Sequence, residues 1–379
     1  MSTRLDAIRR LEDEARHLVE SDENKRRLAM WESVYGSVGI PRTDSPLFTV
    51  SFERATLSRM LNFSFEEFYI DPYTMIEGNL KIMIFHFKTF EDCKPIFKSI
   101  AHYPGVNFEK SLFGGESSYF AGDAWLSRKD VFPERIDIGS LEPLDFHKSG
   151  SMPEVHELYG RVRELLSEDF ESPFPQWTRS PFGTACHLRG FENLLIDLIE
   201  DEDWVLKFLN YLTDCRIKFT HDREKFLNRK QALCHIANDE INSPLISPET
   251  YANLILPTEL RIGEEFGGVY YWHSCGDTTP FVADINKLPG LKIAHVSAWT
   301  DFSIAEKSYD KSIVLEKQLH PYQDLYNVSD FKRQIKAIAD GFNGSKGIIR
   351  PDSIQATTDF DEVVGRAKNW CSCARYVLF

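Results

Sequence analysis

From about residue 154 onward the chain alternates between short apolar runs and stretches with helical spacing. This limits the possible folds more than any other feature. Residues 154–168 read as a helix, and Phe182 to Leu188 as an apolar strand-like segment. A helix opens at Gly190-Phe191-Glu192, and a long amphipathic one covers Trp204 to Phe226. Ala232 to Ala237 reads as a strand ending at Asn238-Asp239-Glu240. Ser247-Pro248-Glu249 starts the next helix, with serine at the cap and proline at the first helical position. A strand ending at His273, a helix from Thr279 or Pro280, and a strand over Lys292 to Val296 follow. Ser303 to Lys307 suits a short helix and Ile313 to Glu316 a strand. Val328 to Asp340 is helical, Gly347-Ile348-Ile349 is a strand, and a last helix covers about Asp359 to Cys371. Such alternation implies parallel strands joined by crossover helices.

The earlier part is less regular. Residues 4–36 show apolar residues at helical spacing, Leu47 to Phe52 reads as a strand, and 53–100 as largely helical. Residues 105–153, with Gly114-Gly115 and several prolines, read as a long loop region or β excursion. No Gly-x-Gly-x-x-Gly follows a strand and no phosphate loop is present. A closed barrel is therefore expected over an open doubly wound sheet. The expectation is an α/β chain: a (β/α)8 TIM barrel over residues 46–379, preceded by a helical extension over 1–45 that packs on its own subunit or forms a homodimer contact.

Composition sets the class of partner. The net charge of −14 argues against nucleic acid and against an anionic membrane surface. No run of about 18 apolar residues suggests a membrane span, and the charged N-terminus lacks a signal-peptide core. A cytoplasmic protein with a small-molecule substrate is expected. Seven widely spaced cysteines do not suggest a disulfide framework.

Several strands end in polar or small clusters, which a barrel would gather at one mouth, where such folds do their chemistry. In Val269-Tyr270-Tyr271-Trp272-His273-Ser274-Cys275-Gly276, residues i and i+2 of a strand share a face, so His273 and Cys275 converge. Imidazole and thiolate are ligand types that zinc prefers; the bland reading is a strand end with a buried thiol. Asp239 and Glu240 are candidates to bind a substrate hydroxyl, take a proton or complete a metal site, or to cap the neighbouring helix or loop amides. Asp352 could face His273 across a barrel, and Arg350 could neutralise an anionic substrate or form a structural ion pair. Trp272 and Trp299 could wall a pocket for a flat or apolar substrate, though aromatics of this kind are more often core. His295 and His320 sit near strand ends, where a lone His is more often a core residue. Cys371-Ser372-Cys373 lacks the spacing of a zinc ribbon, and Cys186-His187, read as strand neighbours, point apart.

These pieces resemble, in order, the uroporphyrinogen decarboxylase-like superfamily on its corrinoid methyltransferase side. Ser180-Pro181-Phe182-Gly183 with Leu188 to Leu195 resembles the strand and following helix start. Asn238-Asp239-Glu240 resembles an Asp-bearing strand end. Ile246 to Tyr251 with Leu256-Pro257 resembles the "S-P-E" helix, and His273-Ser274-Cys275-Gly276 the His-x-Cys-Gly zinc motif. The resemblance implies a methyltransferase working between a small substrate and methylcobalamin carried by a corrinoid partner protein. It implies zinc on His273 and Cys275, with Asp352 or Cys373 where the family has a further Cys. Aryl ether O-demethylation is the expected direction, with a thiol acceptor as the other. The rival readings are a metal-free decarboxylase or lyase, with His273 and Asp239 in acid–base roles, and a non-catalytic small-molecule binder.

Overall fold

The computed structural model describes residues 2–35, 45–102, 104–115, 129–231, 233–356 and 359–379. Ala232, residues 36–44 of the expected extension and residues 116–128 of the expected loop region lie outside them. The described strands are β1 (Leu47–Phe48), β2 (Cys234–Ala237), β3 (Val269–His273), β4 (Ile293–Val296), β5 (Val314–Leu319) and β6 (Gly347–Pro351). The chain divides into two compact units, one of residues 1–103, 158–173 and 311–379, the other of residues 104–157 and 174–310.

The first unit carries β1, β6 and β5 side by side and parallel, with Phe48 opposite Ile349 and Leu319 opposite Pro351. Bridges Phe52–Ile354 and Ser99–Glu171 add strand-like pairing without full strands. The helix Ser2–Glu20 buries Ile8 and Ala15 in one cluster with Met75, Ile76, Leu80, Val162 and Leu166. The N-terminal extension thus packs on its own chain. The next helix, Asp22–Tyr35, is pinned by a buried charge network. Arg27 reaches Asp92 Oδ1 at 3.2 Å, while Thr49 Oγ1 donates to Asp92 Oδ2 at 2.7 Å and His86 Nε2 lies 2.8 Å from the same oxygen. Burial would raise the Asp92 pKa, but His86, Thr49 and Arg27 hold it below the ordinary carboxylate value.

The second unit carries β4, β3 and β2, again parallel, with Ala237 opposite His273 and Trp272 opposite Ala294. A parallel bridge joins Arg179 to Ala237. Parallel pairing puts the C-terminal ends of these strands on one edge, and all the polar clusters of this unit follow that edge.

Two expectations are corrected here. Phe182 to Leu188 is not a strand; Pro181–Arg189 is a helix, with Ser180 Oγ accepting from Gly183 N at 2.9 Å. The serine cap and the proline at the first turn overrule the apolar run. What pairs at this place is only the Arg179 bridge, and the described residues supply six strands rather than eight. The last helix, Phe360–Leu378, runs past Cys371 and Cys373, which therefore lie within it and not at its end. Residues 105–153 hold a short helix, Phe108–Ser111, and no strand among the described residues. The expected helix from Ser247 forms, with Ser247 Oγ accepting from Thr250 N at 3.0 Å. It passes through a π turn at Tyr251–Ile255, just before Pro257, which has no amide hydrogen for an unbroken α-helical ladder. Among the described residues no helix is long and apolar enough to cross a membrane.

Candidate metal site

The edge formed by the ends of β2 and β3 gathers three donor side chains. Along β3 the pleat turns Tyr271 and His273 to one face and buries Trp272 on the other. Cys275, two residues on, keeps the His273 side. The chain leaving β2 brings Asp239 to the same place, where its Oδ1 accepts the Cys275 backbone N–H at 3.1 Å. His273 Nε2 lies 3.3 Å from Asp239 Oδ1 and 3.3 Å from Cys275 Sγ. One ligand atom from each of the three lies within 4.8 Å of the others.

This donor set fits zinc. Metal–ligand distances of about 2.0–2.3 Å place two tetrahedral ligands roughly 3.4 Å apart, close to the two spacings from His273 Nε2. Asp239 is also held as the anion a metal needs. Burial would raise its pKa, but the hydrogen bond and charge of His273, with Arg179 and the Cys275 amide, bring it well below the usual value. Cys275 is exposed, so the site is reached from solvent. All seven cysteines are free thiols; the other six are buried or partly buried.

His273 is firmly mounted. Its Nδ1 lies 3.2 Å from Tyr271 OH, and the His295 ring packs on it at 4.1 Å between centroids. His295 itself is buried, and its Nδ1 donates to Ser274 O at 2.7 Å.

Beside the triad lies a charged cluster. Arg179 donates to Glu240 Oε1 at 2.6 Å, and His187 Nε2 lies 2.9 Å from that oxygen. Arg179 also sits 3.9 Å from Asp239 Oδ2. Burial would raise the Glu240 pKa, but Arg179 and His187 lower it. Glu240 thus faces α-helical Pro181–Arg189 while Asp239 faces His273, the divergence expected of adjacent residues.

Beneath the site is a buried carboxyl. Glu259, fully buried, accepts from Asn238 Nδ2 at 2.5 Å, from Tyr251 OH at 2.9 Å and from Trp272 Nε1 at 2.9 Å. Asn238 Oδ1 also accepts from Ser180 Oγ at 2.7 Å, and the Asn238 backbone N–H donates to His273 O at 2.8 Å. This network joins the ends of β2 and β3 to two helices. Burial raises the Glu259 pKa to about 7, despite the lowering effect of its donors.

The other expected site residues have their own surroundings. Trp272 is buried in the core, because it occupies the alternate position between Tyr271 and His273. Trp299 is 55% exposed. Arg350 and Asp352 belong to the other unit. There Arg350 lies 2.9 Å from Asp352 and 3.1 Å from Glu316, so its charge is balanced. His320 accepts from Gln323 N at 3.4 Å, a turn-capping contact. Cys371 is buried, and Cys373 contacts Asn369 on its own helix. Arg179 and Tyr271 carry no signal of a site role in the sequence, and His187 enters it only as the neighbour of Cys186.

The uroporphyrinogen decarboxylase (URO-D) family matches residues 118–350. The chain belongs to this family. A methylated-thiol–coenzyme M methyltransferase of Methanosarcina mazei is 24% identical over 168 residues, 44% of this chain and 41% of that protein. The chain thus matches less than half the length of that relative. A solved structure, a methyltransferase from Methanosarcina mazei, is similar with a TM-score of 0.66 at 16% identity, over 93% of this chain and 98% of that one. At that identity the likeness speaks for the fold. It agrees with the α/β architecture of parallel strands expected from the sequence, and both relatives are methyltransferases, the side of the superfamily that the motifs resemble.

Proposed function

We propose that this URO-D family member is a methyltransferase working with a corrinoid partner protein, moving a methyl group from an aryl methyl ether onto the reduced corrinoid or from methylcobalamin to a thiol. The observation that carries the reading is the convergence of Asp239 Oδ1, His273 Nε2 and Cys275 Sγ at the ends of two adjacent parallel strands. These three residues would hold zinc, with Asp239 in the place first considered for Asp352. Zinc bound there supplies Lewis acidity toward the substrate heteroatom, or keeps a thiol as thiolate.

The chain's own residues do the rest. Arg179 keeps the two neighbouring carboxylates ionised. Glu240 and His187 share a hydrogen bond that can hold a proton for the heteroatom left after methyl transfer. Trp299, exposed beyond β4, offers an aromatic face to the substrate. Support comes from family membership, and from the methylated-thiol relative, whose substrate type is one of the two considered.

Metal analysis of the purified protein tests the reading, with His273→Ala and Cys275→Ala alongside. The expected result is about one zinc per chain, lost in both variants, followed by demethylation of a methyl ether or thioether only when a corrinoid protein is present. Metal-free protein after reconstitution would overturn the zinc chemistry and favour a metal-free decarboxylase or lyase.

A further inference from the structure

The two nitrogens of His273 face different partners. Nε2 looks toward Asp239 Oδ1 and Cys275 Sγ, each at 3.3 Å, while Nδ1 meets Tyr271 OH at 3.2 Å. An ion can be bound through Nε2 only if the ring proton sits on Nδ1, and that proton then needs an acceptor. We propose that Tyr271 is the positioning residue that supplies it: its hydroxyl accepts the Nδ1–H and leaves the Nε2 lone pair aimed between Asp239 and Cys275. The consequence for metal rests on the zinc reading above; the choice of tautomer does not.

Several contacts make the hydroxyl a fixed reference point. Tyr271 and His273 are i and i+2 on one face of β3, so the separation of their side chains is set by the pleat. The Tyr271 ring stands edge-on to His235, 6.0 Å away, its register partner on β2. His235 is itself stacked on Tyr270 at 5.3 Å. On the other side the His295 ring covers His273 and resists its rotation.

Tyr271→Phe removes one oxygen and keeps the ring, so the fold is retained; Tyr270→Phe, on the opposite face of the strand, is the control. Zinc affinity is measured by chelator competition, and the visible spectrum of the cobalt(II)-loaded protein reports ligand geometry. The expected result is a loss of about 10–100-fold in zinc affinity for Tyr271→Phe, with a shifted cobalt spectrum and unchanged metal-free thermal stability, and no change for Tyr270→Phe. Equal affinity and an identical spectrum in Tyr271→Phe would overturn the proposal. Nitrogen-resolved NMR of the metal-free protein separates this claim from the zinc reading. If the wild type binds neither metal, the zinc reading fails, and a His273 tautomer balance identical in wild type and Tyr271→Phe overturns the tyrosine's role as well.

Discussion

A Cβ added to Gly183 would lie 2.5 Å from Glu240 Oε2, closer than any real Cβ contact. The carboxylate cannot swing aside freely, because Arg179 and His187 hold its other oxygen. Gly183→Ala is expected to destabilise the protein by about 1–3 kcal/mol through overpacking. Gly160→Ala, in the helix Met152–Leu165 with open space around it, should instead stabilise by roughly 0.5–1 kcal/mol. Urea unfolding of the two variants checks both signs.

Asp239 and Asp352 make opposite predictions for metal binding. Asp239→Asn should lower zinc affinity by at least about 10-fold, because its Oδ1 stands with His273 and Cys275. Asp352→Asn should leave affinity unchanged, since that carboxylate is engaged by Arg350. Chelator competition on the two variants reads the difference, and the reverse ranking would return Asp352 to the ligand set.

Glu259 should make stability depend on pH. Its pKa is about 7 when folded and the ordinary 4.5 when unfolded. The folded chain therefore retains a proton that the unfolded chain releases between those values, and stability falls as pH rises through that window. The difference corresponds to about 3 kcal/mol, fully felt above pH 7. Glu259→Gln, a mimic of the neutral acid, should flatten this slope and be more stable than wild type at pH 8. Unfolding free energies at pH 5, 6, 7 and 8 test it; parallel slopes in the two proteins would refute the assignment.

The Arg27–Asp92 pair gives a fourth test. Both residues are nearly fully buried, at 2% and 0% exposure. Arg27→Met strips Asp92 of its guanidinium and should cost about 3–5 kcal/mol. The double change Arg27→Met with Asp92→Asn should recover a large part of that loss, as read by denaturant midpoints.

His273 and Cys275 were legible because their convergence depends on a two-residue period that the sequence displays directly. Asp239 stood out as a strand-end carboxylate, but its pairing with His273 depends on the register of β2 against β3, which no local pattern encodes. Arg179 and His187 reach Glu240 from 61 and 53 residues away, so only the folded topology reveals them. Of the two readings open for Trp272, pocket wall or core, its burial fits the core, on the face of β3 opposite His273. The helix at Pro181 carried the Ser-Pro signal that located the helix at Pro248, but its apolar run suggested a strand. Strand and helix alternation beyond residue 230 was legible throughout, because each apolar run there is bounded by a clear cap or turn.

The three donors do not share one origin. His273 and Cys275 come from a single strand and its exit, locked to each other by the pleat. Asp239 comes from the segment after β2 and touches them only through a backbone amide and an ionic contact. The site is therefore modular. A single substitution at position 239 can exchange a hard oxygen donor for a soft sulfur one, retuning which ion is preferred while the His–Cys half stays in place. Diversification of the chemistry can proceed one ligand at a time, without rebuilding the scaffold that carries the rest.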